Sequence, residues 1–130
     1  MIVVDASVVV EVLLCTAAGK AVEGRLFDPS ASLHAPHLLD VEVAQVLRRY
    51  CASGDLTPGR GAEAVADLAD LPITRHEHVL LLPRIWQLRQ NLTAYDATYV
   101  ALADALGATL LTRDGKLARG AGRTRVELLK

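Results

Sequence analysis

Apolar residues fall along the chain in two alternating rhythms. Short runs rich in β-branched residues or leucine occupy Ile2 to Val4, the segment around Leu33-His34-Ala35, Ile73-Thr74, Ala108 to Thr112 and Val126 to Leu129. Bounded mostly by breakers or polar residues, such runs read as strands. Between them, apolar positions recur at helical spacing over Val8 to Leu14, Ala17 to Phe27, Leu39 to Cys51, Pro58 to Leu71, Val79 to Leu88 and Ala94 to Leu106. The strands are too apolar to leave one face in water, so helices must cover both sides of a sheet. The prediction is an α/β fold: three layers, α/β/α, around a five-stranded, mostly parallel sheet. Punctuation agrees, with Gly54 after the helix that ends in Arg48-Arg49-Tyr50, Pro58 opening the next, and Gly107 at the C′ position after Leu106.

Open α/β sheets collect ligands outside the carboxyl ends of their strands, near the point where strand order reverses. Four acids sit where the chain passes that edge. Asp5 ends the first strand, Glu42 lies in the first turns of the helix after the second, Asp96 in the first turn of the helix before the fourth, and Asp114 two residues past the fourth strand. Each has a plain structural reading. Asp5 before Ala6-Ser7-Val8 suits an N-cap, Glu42 and Asp96 suit helix N-termini, and Asp114 in Thr112-Arg113-Asp114-Gly115 suits a turn. Taken together they suggest more, because Asp5 and Glu42 stand among apolar residues. Clustered carboxylates repel and take up protons unless a cation neutralises them. An all-oxygen set with no paired His or Cys favours Mg²⁺, with Mn²⁺ as a substitute, over zinc. A water activated by such a cation attacks a phosphodiester in line, so the reaction class is phosphodiester hydrolysis.

The charge balance changes how a nucleic-acid substrate must be sought. With 14 Lys and Arg against 15 Asp and Glu, the net charge is -1, which excludes binding by overall basicity. Local charge remains: Arg113, Lys116, Arg119, Arg123 and Arg125 follow the fourth acid and offer contacts to RNA phosphates beside a metal, or simply a solvated surface. Arg48 and Arg49 read as cations meeting a helix C-terminus. At 130 residues, with no internal repeat or long linker, a single domain spanning 1–130 is expected. Cys15 and Cys51 read as free thiols packed as small hydrophobes. The Met1-Ile2-Val3-Val4-Asp5 start lacks a signal-peptide pattern, and no run reaches the roughly 18 apolar residues of a membrane span. A cytoplasmic protein without membrane contact is expected.

The motifs around the four acids resemble a known family. Asp5-Ala6-Ser7 after an opening strand, Glu42-Val43-Ala44 with Val46-Leu47-Arg48-Arg49, Tyr95-Asp96-Ala97 with Tyr99-Val100-Ala101-Leu102-Ala103, and Leu111-Thr112-Arg113-Asp114-Gly115-Lys116-Leu117 look like the four acidic motifs of PIN-domain proteins, most of all the VapC-type toxins. The resemblance covers nearly the whole chain. It implies a metal site formed by Asp5, Glu42, Asp96 and Asp114, with Ser7 and Thr112 at hydroxyl positions that support it. It also implies an RNA substrate, a homodimer, and a cognate VapB-type antitoxin whose C-terminal segment covers the active site. Arg113, Lys116 and Arg119 become candidates for RNA or antitoxin contact. Gln45 stands where relatives often carry Asn, and Leu56 to Leu71 has no specific counterpart.

Other candidates carry blander readings. His76 and His78 around Glu77 read as an exposed turn, His34 and His37 as loop residues before the Glu42 helix, and Trp86 as part of a core stripe. An aspartyl-phosphate enzyme would want a second acid two residues after Asp5, where Ser7 stands. No glycine-rich nucleotide-binding motif follows a strand. The alternative to a metal-dependent ribonuclease toxin is a catalytically silent module of the same fold, acting by partner binding.

Overall fold

The computed structural model describes residues 1–130, and the two rhythms of the sequence resolve into strands and helices that alternate. Strand β1 (Ile2–Val4) runs into Asp5, whose carboxylate accepts from the backbone N–H groups of Ser7 and Val8 and so caps α1 (Ala6–Leu13). Helix α2 (Ala17–Leu26) follows, capped by the Thr16 hydroxyl. Next come β2 (Leu33–Pro36), α3 (Leu38–Ala52), α4 (Pro58–Asp70) with proline in its first turn, and β3 (Ile73–His76). A single 3₁₀ turn (Val79–Leu81) leads into α5 (Leu82–Gln87), then α6 (Ala94–Leu106), β4 (Thr109–Thr112), α7 (Gly115–Gly120) and β5 (Val126–Leu128).

All five strands pair in parallel, in the order β3-β2-β1-β4-β5. Strand order therefore reverses between β1 and β4, where Ile2, Val3 and Val4 register with Thr109, Leu110 and Leu111. Helix α6 lies across β1, β2 and β4, and every residue from Ala97 to Ala103 is buried. So long an apolar run fits a helix covered by sheet on one side and by α5 on another. Helix α1 packs against α2, α3 and α4. One cluster of 31 buried apolar residues joins these layers to the sheet.

Geometry requires glycine at several positions, among them Gly19 and Gly107. A Cβ on Gly19 would meet the Glu11 carbonyl oxygen at 2.2 Å, so α1 and α2 can approach only with hydrogen at that position. Gly107, at φ 63°, ends α6 in the left-handed conformation.

The expected helix over Val79 to Leu88 is in fact a 3₁₀ turn followed by the short α5, because Pro83 supplies no N–H and belongs in a first turn. Trp86 is not core but 68% exposed: α5 makes fewer than two turns and commits Ile85 inward instead. Cys15 is likewise exposed, at a positive φ of 54° after α1, and Cys51 is only partly buried. No helix is long and apolar enough to cross a membrane.

Candidate active site

The switch between β1 and β4 brings Asp5 beside Thr112. Asp5 is only 5% exposed, and each of its oxygens is held. Oδ1 accepts from the Ser7 hydroxyl at 2.6 Å and the Ser7 backbone N–H at 3.1 Å, and Oδ2 accepts from the Thr112 hydroxyl at 2.5 Å. The network continues outward. Thr112 Oγ1 accepts the Asp114 N–H at 2.9 Å, Ser7 Oγ accepts the Arg113 N–H at 2.9 Å, and Asp114 Oδ1 accepts the Lys116 N–H at 2.8 Å, capping α7. Two hydroxyls thus tie the end of β1 to the turn after β4.

Glu42 and Asp96 approach from helices. Glu42, half-buried on α3, accepts the Tyr99 hydroxyl at 2.5 Å. Asp96 sits in the first turn of α6, its backbone N–H donated to the Thr93 cap at 3.1 Å. Burial pushes the carboxyls of Asp5, Glu42 and Asp96 above the usual carboxylate range. For Asp5 the hydrogen bonds from Ser7 and Thr112 oppose that rise. For Glu42 the Tyr99 bond opposes it while the charges of Asp96 and Asp5 add to it. For Asp96 the charges of Asp114 and Asp5 add to it. Asp96 is therefore within electrostatic reach of each of the other three acids.

None of them has a cationic partner. The five ion pairs of the chain join Arg25 to Glu127, Arg60 to Glu63, Arg75 to Asp40, Arg84 to Asp104 and Arg113 to Glu11, and all four acids are outside them. Nor do any three His, Cys, Asp or Glu side chains stand close enough to grip one ion directly. Hard oxygen donors set around a shared space, rather than closed on a point, suit a cation that retains much of its water shell, as Mg²⁺ does. The donor chemistry fits that ion.

The basic residues divide. Arg113 is committed to its ion pair with Glu11, whose other oxygen accepts from the Thr16 hydroxyl. Lys116 and Arg119 are exposed and in no ion pair, with the Arg119 guanidinium close over Gly115. The histidines are more ordered than the sequence suggests. His34 lies within β2 and His76 ends β3, so neither is a loop or turn residue, and their Nδ1 and Nε2 atoms are 2.9 Å apart. His37 precedes α3, with its ring centroid 6.5 Å from that of His78. Trp86 carries the Arg89 guanidinium 4.8 Å from its ring centroid at the surface.

Sequence reasoning missed Tyr99 as a site residue, since a tyrosine in an apolar helical run looks like core. Its separation from Asp96 by three positions, one helical turn, was the available signal. Glu11 and Thr93 were missed too, and only their spatial neighbours give them roles.

Residues 2–123 match the family model described as PIN domain. The chain is similar to ribonuclease VapC9 of Mycobacterium tuberculosis, with 43% identity over 117 residues covering 90% of this chain and 88% of that protein. Among solved structures it is similar to Mycobacterium tuberculosis VapC20, described as a Sarcin-Ricin loop cleaving toxin, with a TM-score of 0.72 at 19% identity and full coverage of both chains. It is also similar to VapBC2 of Rickettsia felis, bound to a DNA fragment from its promoter, with a TM-score of 0.73 at 13% identity and full coverage of both.

Proposed function

The chain belongs to the PIN-domain family, and from that membership we propose that Asp5, Glu42, Asp96 and Asp114 hold Mg²⁺, or Mn²⁺ in its place, for endonucleolytic hydrolysis of RNA. The protein is a ribonuclease toxin of the VapC type. The observation that carries the metal reading is a charge imbalance: four carboxylates linked electrostatically through Asp96, three of them raised by burial, and none paired with Lys or Arg. Unpaired buried charge is costly, and a divalent cation offsets it.

Held by these four acids, the cation would supply Lewis acidity toward the phosphate and would lower the pKa of water for hydrolysis. The chain's own residues fix the geometry. Ser7 and Thr112 donate to opposite oxygens of Asp5 and prevent its rotation. The Thr112 hydroxyl also receives the Asp114 N–H, so the same side chain sets the start of α7. Lys116 and Arg119, free of ion pairs, supply positive charge beside the acids for RNA phosphates. Arg113 reaches a phosphate or an antitoxin carboxylate only by leaving Glu11.

An antitoxin of the VapB type is the proposed partner, covering this edge of the sheet. A homodimer, a cytoplasmic location and a single domain over the whole chain complete the proposal. The test is cleavage of a pool of labelled structured RNAs by purified, partner-free protein in Mg²⁺, Mn²⁺ or EDTA, beside Asp96→Asn. Discrete products that need metal and vanish in the variant are expected. Products that persist in EDTA, or in Asp96→Asn, overturn the site.

A further inference from the structure

We infer that Tyr99 is a positioning residue that aims Glu42 into the metal site by holding its Oε1 and leaving Oε2 for the cation. This rests on the metal reading above and adds to it a residue whose role is to orient a ligand.

Tyr99 is 1% exposed, and its side chain is the largest of those fully buried. Its hydroxyl donates to Glu42 Oε1 at 2.5 Å across 57 residues of sequence. No buried side-chain polar atom lacks a partner, and for the Tyr99 hydroxyl that partner is Glu42. Glu42 in turn accepts no other hydrogen bond and belongs to no ion pair. A glutamate has three rotatable bonds. Repelled by Asp96 and Asp5, an unrestrained Glu42 would swing toward water. The tyrosine bond is what holds it inward.

The chemistry of the clamp matters as much as its position. A lysine or arginine here would also anchor Glu42, but would cancel the charge that attracts a cation. A phenol orients the carboxylate through a short, charge-assisted bond and leaves its charge available. Because Asp96 and Tyr99 lie one turn apart on α6, a single helix presents one acid directly and sets the second through its hydroxyl. Partners of metal ligands of this kind typically carry about 10–100-fold in metal affinity.

The experiment is titration of Mn²⁺ into purified, partner-free protein, with free Mn²⁺ followed by its electron paramagnetic resonance signal and thermal melting run in parallel. Wild type, Tyr99→Phe, Glu42→Gln, the double variant and Asp96→Asn are compared. Tyr99→Phe is expected to weaken Mn²⁺ binding about 10-fold and to raise the Mn²⁺ concentration needed for half-maximal cleavage more than it lowers the rate at saturation. In the Glu42→Gln background the same change is expected to have no further effect on Mn²⁺ affinity. If Tyr99→Phe binds Mn²⁺ like wild type while Asp96→Asn does not, the role of Tyr99 is overturned and the metal site stands. If Asp96→Asn also binds like wild type, the metal site falls and Tyr99 with it. Should Tyr99→Phe alone fail to fold, the double variant decides: added loss of Mn²⁺ affinity relative to Glu42→Gln overturns the inference.

Discussion

The Thr112 hydroxyl donates to Asp5 Oδ2 at 2.5 Å and accepts the Asp114 backbone N–H at 2.9 Å, so one oxygen links two of the four acids. The side chain is fully buried, so the link is shielded from solvent.

Thr112→Val keeps the shape and removes that oxygen. It leaves Asp5 Oδ2 and the Asp114 N–H short of a partner, at a cost of about 1–3 kcal/mol. Activity is expected to fall about 10–100-fold, as for other supporting partners of metal ligands. Thr112→Ser, which retains the hydroxyl, should recover most of the activity. Denaturant unfolding and RNA cleavage measured on both variants check this, and equal activity in the two would refute it.

Asp96→Asn and Asp5→Asn separate charge from structure. The Asp96 carboxylate interacts with the Thr93 hydroxyl, a contact that an amide oxygen can keep, so its amide variant should lose cleavage while the metal-free protein melts no lower than wild type. Asp5 caps α1 through Oδ1. Asn retains that acceptor, whereas Asp5→Ala loses it and should cost about 1 kcal/mol more. Melting curves in EDTA give the comparison.

The raised carboxyls make a statement about pH. Asp5, Glu42 and Asp96 hold protons more tightly folded than unfolded, so between the unfolded carboxylate range, about 4, and the raised values the folded state binds more protons. Stability then falls as pH rises through that window. In EDTA, the melting temperature should rise as pH is lowered from neutrality toward the unfolded carboxylate range. Saturating Mg²⁺ should flatten this dependence and raise stability most at neutral pH, because it binds only the folded form. A profile unaffected by Mg²⁺ argues against cation binding at these acids.

Gly19→Ala tests the packing that supports the site from behind. The added methyl would stand 2.2 Å from the Glu11 carbonyl oxygen, a backbone atom that cannot turn away. Separating α1 from α2 should cost about 1–3 kcal/mol and disturb Glu11, which holds both Thr16 and Arg113. Chemical denaturation supplies the measurement.

Much of this was legible in the sequence because local rules and tertiary needs coincide there. Asp5 ends an apolar run and begins a helix, and both the strand and the cap follow from its neighbours. All five strands lie where the apolar runs predict them, and the sheet is wholly parallel rather than mostly so. Helix α7 was missed because Gly115–Gly120 holds two glycines and one buried leucine, too little for a period, and depends on the Asp114 cap. Trp86 was misplaced because Ile85 and Trp86 are adjacent and α5 can turn only one of them inward. The His34–His76 contact needed the pairing of β2 with β3, which no local pattern specifies. Tyr99 was visible as a residue, but its hydroxyl acquires meaning only when the fold brings Glu42 of α3 within its reach.

The pairing of β1 with β4 also sets when the proposed site can assemble. Asp5 leaves the ribosome 107 residues ahead of Thr112, and until β4 docks, it has neither its hydroxyl clamp nor Asp114 beside it. On the proposed reading of the site, a chain that has not reached β4 lacks the Asp5–Thr112 link and the fourth acid. On that reading cleavage can begin only after β4 has docked, a delay in which an antitoxin can find the folding chain.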